Sequence, residues 1–320
     1  MTLVKYRHHL PQLDDDRLFL TDGGLETVLI FHEGIDLPSF AAFDLLKDEQ
    51  GTETLRRYYA PYAELARELG AGFVLESPTW RASLGWAPDL GYSVDELEAM
   101  NRRAIALMED IRSEYETEAS PFVISGCLGP EADGYHPDTL MTAEMGEGYH
   151  GFQMAAFADT TADMATAITM THTGEAIGLV RAAVLVGLPL AVSFTVETDG
   201  RLPSGQPLGE AIEQVDRETD RAPVYYMVNC AHPNHFAHVL EEDAMWRDRI
   251  RGVRPNASTM SHAELDEAED LDDGDPADLG ARCAELRARL PRLRVLGGCC
   301  GTDHRHVREM SKAWVSGSAP

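Results

Sequence analysis

Lysine is nearly absent from this 320-residue chain: Lys5, Lys47 and Lys312 are the only three, and the other 24 of its 27 cationic side chains are arginine. Cations of both kinds are outnumbered by 54 acidic residues, for a net charge of −27. A surface that anionic excludes a nucleic-acid binder or a protein held on anionic lipid, both of which need a cationic face. An acidic, lysine-poor surface is also the kind found at high salt or encoded by a GC-rich genome. Long apolar runs are missing too. The longest, residues 182–194, is interrupted by Gly187 and Pro189 and is too short to span a bilayer. Residues 1–19 lack the basic and apolar regions of a secretory signal. The expectation is a soluble, cytoplasmic protein. Cysteine is scarce and odd in number: Cys127, Cys230, Cys283, Cys299 and Cys300. An odd count in a reducing compartment argues against a disulfide framework and towards metal binding or nucleophilic chemistry.

Short apolar runs alternate with longer amphipathic segments. Strands are expected at residues 19–24, 72–77, 122–126, 164–169, 190–196, 224–230, 250–257 and 294–301. Helices are expected at 52–69, 93–118, 148–157, 175–186, 210–220, 236–246, 275–290 and 304–315. Gly70 is a natural C-cap, Ser93 and Glu96 form a capping box, and Asp275-Pro276 is an N-cap and N1 pair. The strands are mostly continuous apolar runs, as when both faces are covered. About eight strand–helix units fit either a doubly wound sheet or a (β/α)8 barrel. The length and the lack of a linker favour an α/β (β/α)8 TIM barrel as a single domain over residues 1–320. The acidic stretch 264–278 reads as a solvated loop.

In a barrel, residues at the C-terminal strand ends converge on one face. Asp22, Glu76 to Thr79, Ser193 to Glu197, Asn229, Cys230, Asn256, Cys299 and Cys300 all occupy such positions. Cys230 ends one strand, and Cys299 and Cys300 end another among Gly297, Gly298 and Gly301. Glycine on both sides lets the chain bend so that both sulfurs face one point. Three thiolates at a barrel mouth suit Zn2+, with Zn–S near about 2.3 Å and the fourth tetrahedral position open. Cys127 and Cys283 read as small buried hydrophobes. The histidines show no ligand spacing, and His232, His235, His304 and His306 read as peripheral.

GGCCGT (297–302), VNC (228–230) and TDGG (21–24) together resemble the homocysteine S-methyltransferase family. PTWRAS (78–83), SGCLGP (125–130), VSFTVETDGRLPSGQPL (192–208) and RPNAS (254–258) follow the same order. The resemblance implies a zinc-dependent barrel enzyme in which Cys230, Cys299 and Cys300 hold the metal. The thiol acceptor, homocysteine giving methionine, would take the open position. Asp22, Gly23 and Gly24 would bind its amino-acid part, and Thr79, Ser193, Asn229 and Asn256 would shape the site. No corrinoid or folate module is appended, so the donor is expected to be S-methylmethionine, S-adenosylmethionine or betaine. Trp80 and Trp86 would offer ring faces to such a cation.

The family usually ends its fourth strand with a Glu-Thr pair that holds the acceptor's ammonium. Here that pair reads Ile168-Thr169. Glu76, or Glu197, would have to substitute, or the acceptor is a different thiol. A zinc lyase or hydrolase on the same barrel is the alternative activity, and a non-enzymatic zinc or redox protein the third. The partners expected are a small thiol and a small methyl donor, and a homo-oligomer is left open.

Overall fold

A computed structural model describes residues 4–14, 16–134, 140–241, 244–268 and 270–316. The ends of the expected 1–320 domain and residue 269 of the acidic stretch lie outside the described residues.

Eight parallel strands close into a barrel in sequence order: β1 (Phe19–Leu20), β2 (Gly72–Glu76), β3 (Phe122–Leu128), β4 (Met164–Met170), β5 (Leu190–Phe194), β6 (Tyr225–Asn229), β7 (Ile250–Arg254) and β8 (Val295–Leu296). Every residue of β2, β3, β5 and β6 is buried, which is why these segments carry apolar runs without alternation. Among the described residues seven longer helices surround them: α1 (Glu49–Leu69), α2 (Val94–Tyr115), α3 (Ala143–Ala158), α4 (Thr173–Val186), α5 (Leu208–Glu218), α6 (Pro276–Arg289) and α7 (His304–Ser316).

The local signals act as expected. Gly70 ends α1 at φ 60°, in the left-handed region that favours glycine. Ser93 and Glu96 form both bonds of the capping box on α2. The Asp275 carboxylate accepts from the Ala277 and Asp278 amides at the start of α6.

One element differs. Instead of a helix over 236–246, β6 is followed by short turns at Pro233–Phe236, Ala237–Glu241 and Met245–Arg249, with residues 242 and 243 outside the description. Pro233 sits at the first helical position, where its missing amide costs nothing, but only short turns follow it and no long amphipathic helix.

One face of the strands packs inside the barrel. Phe19, Val74, Val123, Met164, Ala191, Tyr225 and Val295 form a lower interior layer, capped by Leu10 from the segment before β1. Their other face packs on the helices in the larger outer core. The closing seam is narrow: β1 meets β8 through Phe19↔Val295 and Leu20↔Leu296. With the lower end filled, the open end is the rim at the C-terminal strand ends.

Candidate active site

A cavity of about 210 Å3 opens at that rim. Asp22, Gly23, Gly24, Glu26, Glu76, Trp80, Arg81, Cys127, Ile168, Thr169, Cys230, Arg254, Cys299 and Cys300 contribute to its wall. It draws on the C-terminal ends of β1, β2, β3, β4, β6, β7 and β8 or the loops after them, so its shape depends on the barrel being closed.

The three cysteine sulfurs expected to meet do meet: all lie within 4.8 Å of one another. The Cys230 and Cys299 sulfurs are in direct contact, with Cα atoms 5.4 Å apart, and Cys300 Sγ is 3.7 Å from Cys230 Sγ. One such contact is not a disulfide framework, and it reflects the crowding of three sulfurs at one point. As three separate thiolates the same donor set also suits a metal. Ligands at about 2.3 Å on a tetrahedron stand about 3.8 Å apart, close to the separation of Cys230 and Cys300. No His, Cys, Asp or Glu among the described residues joins the trio as a fourth ligand.

Close backbone approach builds this corner. A Cβ on Gly297 would fall 1.8 Å from Thr21 Oγ1, and one on Gly24 would fall 2.5 Å from the Cys299 carbonyl. The Gly298 amide donates to the Asp22 carbonyl at 2.8 Å, and the Cys299 amide to the Pro255 carbonyl at 2.9 Å. Cys230 lies at φ 52°, a backbone region that costs a β-carbon-bearing residue energy and is held only by its surroundings. His262 is part of that hold. Its Nε2 is 2.7 Å from the Cys230 carbonyl and its Nδ1 is 3.0 Å from Glu197.

Asn229 acts as a brace. Its Oδ1 accepts from the Thr169 amide at 2.9 Å and from Ser193 Oγ at 2.6 Å. Its Nδ2 donates to Thr169 Oγ1 at 2.9 Å and lies 3.8 Å from Cys299 Sγ. Thr169 is itself at φ 63°, beside a register shift in β4, which turns Ile168 onto the cavity wall. Ser193, Asn229, Thr79 and Asn256 do not line the cavity and stand behind its wall. Thr79 Oγ1 donates to the Cys127 carbonyl at 2.7 Å, while Asn256 Oδ1 is buried without a hydrogen-bond partner.

Arg254 is the residue that sequence reasoning passed over. It is buried, and its Nη2 donates to Asp22 Oδ1 at 2.8 Å and to the Gly23 carbonyl at 3.2 Å. Its Nη1 donates to Glu76 Oε2, and its Nε to the Gly298 carbonyl at 3.0 Å. One guanidinium thus joins the end of β2 to the loops after β1 and β8, a use its planar fork of donors suits. Burial opposes its charge, but Asp22 and Glu76 more than offset that and hold it cationic. Burial pushes both carboxyls upward, and Arg254 offsets part of the rise. Tyr58 donates to Asp22 Oδ2 at 3.0 Å, so both Asp22 oxygens are engaged.

Arg81 also went unread. Its guanidinium lies 4.1 Å from the Trp80 ring centroid and 3.8 Å from that of Trp86. The indoles expected to face a cationic ligand already face a cation of the chain, and only Trp80 of the two lines the cavity. At the mouth, Glu26 is pushed up to about 7, mainly by burial of its carboxyl and further by the Asp22 charge. Cys127 lines the wall, and burial pushes its thiol well up; Cys283 lies buried far from the site. A charged residue inside RPNAS, at the end of an apolar strand, was the available signal for Arg254.

Known proteins resemble this chain in sequence and in fold. The chain is 25% identical to homocysteine S-methyltransferase 4 of Zea mays, over 92% of this chain and 88% of that protein. It is 24% identical to selenocysteine Se-methyltransferase of Brassica oleracea var. italica, over 93% and 89%. The fold matches the homocysteine methyltransferase MmuM of Escherichia coli. Its oxidized form superposes with a TM-score of 0.71 at 18% identity, over 93% of this chain and 96% of that one. Its metallated form gives 0.71 at 17%, over 96% and 99%. The homocysteine S-methyltransferase family model matches residues 19–314. A closed barrel presenting three cysteines on one rim cavity, matched to that model over nearly its whole length, belongs to the homocysteine S-methyltransferase family and is a thiol methyltransferase.

Proposed function

We propose that this enzyme is zinc-dependent and moves a methyl group from a small onium donor, S-methylmethionine or betaine, to homocysteine, giving methionine. The observation that carries the reading is the trio of sulfurs within 4.8 Å at the cavity wall. Cys230, Cys299 and Cys300 would hold the ion. When bound, zinc supplies the Lewis acidity that ionises the acceptor thiol at neutral pH, so no side chain has to act as general base.

The rest is done by the chain. Asn229 and His262 fix the backbone that presents Cys299 and Cys230, and the Asp22–Gly24 turn and Glu76 face the amino-acid part of the acceptor. The new carbon–sulfur bond forms as the methyl–onium bond breaks, and the donor leaves as a neutral thioether or amine. The wall supports a cationic donor: Asp22, Glu26, Glu76, Asp133 and Asp266 line the cavity against Arg81 and Arg254. At about 210 Å3 the cavity is below the range typical of drug-sized ligands, which favours the smaller donors over S-adenosylmethionine. No helix among the described residues is long and apolar enough to cross a membrane. A reduced, cytoplasmic setting would keep the sulfurs available to the metal, and a place in methionine biosynthesis follows from the product.

Metal analysis of the reduced protein, paired with methyl transfer to homocysteine from each donor, tests the reading. Wild type should carry about one zinc per chain, and Cys299→Ser should lose both metal and transfer. A zinc-loaded wild type that methylates no thiol would refute it.

A further inference from the structure

Glu76 carries an unused oxygen. Its side chain is 3% exposed and lines the cavity. Oε2 accepts from Arg254, whereas Oε1 is buried and has no hydrogen-bond partner. The Thr166 hydroxyl near Glu76 shares a 2.8 Å hydrogen bond with Ser125 Oγ in which either oxygen can donate. A buried carboxylate oxygen without a donor, on a residue of the cavity wall, is costly unless a ligand supplies one.

The charges point the same way. With both carboxylates ionised, Asp22, Glu76 and Arg254 sum to one negative charge in a buried cluster. Both Asp22 oxygens are engaged by Arg254 and Tyr58, so the deficit is expressed at Glu76 Oε1. The group that completes the cluster is a cation with N–H donors. Ile168, also on the cavity wall, has no charge to offer.

We infer that Glu76 Oε1 is the seat of the acceptor's α-ammonium group, and that Arg254 positions this carboxylate by fixing its other oxygen. Glu76 therefore sets the specificity for an amino-acid thiol over a plain thiol acid. The sulfonium or quaternary centre of a donor has no N–H and does not satisfy this oxygen. This rests on the thiol-methyltransferase reading above.

The test compares homocysteine with 4-mercaptobutanoate, the same thiol and carboxylate without the amine. Wild type should prefer homocysteine in kcat/KM by about tenfold to a hundredfold, the discrimination expected when a buried charged acceptor loses its donor. Glu76→Gln should bring the two acceptors to near parity, chiefly by losing homocysteine turnover. Glu76→Asp keeps the charge cluster but withdraws the oxygen, so it should fold and show a reduced preference. Equal use of both thiols by wild type, or an unchanged preference in Glu76→Asp, would overturn the assignment.

Calorimetric binding of methionine against 4-(methylthio)butanoate separates this from the activity reading. Methionine binding that weakens about tenfold or more in the Glu76 variants supports the seat whether or not transfer is observed. Unchanged binding refutes the seat even if methyl transfer is robust.

Discussion

At the residue scale, the site is a set of buried charges whose balance depends on proton occupancy. Glu26, half-buried at the cavity wall, shows this most directly. Its carboxyl is pushed up to about 7 by burial, against an ordinary value of 4.5. A folded-state value above the unfolded one means that ionisation works against folding. The penalty is absent below about pH 4.5, grows as pH rises, and is complete above about 7. Glu26→Gln removes it. Urea unfolding should therefore show the variant stabilised relative to wild type at pH 8 and little changed at pH 5. The same difference at both values would show that the glutamine acts through packing.

The residue scale also shows how unevenly the site could be read. The cysteines were legible because glycine-flanked vicinal thiols are rare and their chemistry is narrow. Arg254 was not, although it lies inside a quoted motif. A lone arginine near the end of a strand resembles an exposed one until the carboxylates of Asp22 and Glu76 are known to face it. Those partners are 232 and 178 residues away. Arg81 escaped for a similar reason: its indole neighbours suggested a ligand, and the chain itself supplied the cation.

At the scale of elements, local rules carried most of the reading. Caps fix where α1, α2 and α6 begin or end, and each of them sat in the sequence as a short pattern. The cap on α2 offers a direct measure. Replacing Ser93 by Ala removes an acceptor for the Glu96 amide on an exposed first turn. It should cost about 1 kcal/mol in urea unfolding and leave methyl transfer unchanged, since the turn is remote from the cavity. A loss of transfer without loss of stability would mean that α2 communicates with the rim. Where local rules failed, tertiary constraint was the cause. The turn series after β6 replaced an expected helix, and β1 and β8 shrank to two residues each. Their flanking residues leave the ladder to form the turns that carry Asp22 and Cys299. Apolar character predicted those segments, but not where pairing stops.

At the scale of the whole molecule, the alternation of strand and helix left two architectures open, and only ring closure decides between them. That closure has a consequence for timing. Cys230 precedes its nearest sulfur partner by 69 residues, and the partner hangs from the last strand, which must reach the first. Until that seam zips, residue 230 is a solitary thiol, and the Asp22–Arg254–Glu76 clasp is unfastened. The ion-binding corner is then the last part of the protein to mature. In refolding from urea under reducing conditions, a pulsed maleimide label should find Cys127, held between neighbouring strands β2 and β4, shielded before Cys230. Shielding in the reverse order would rule out this sequence of events. A newly made chain would thus gain its structural staves first and its chemistry only when the hoop is shut.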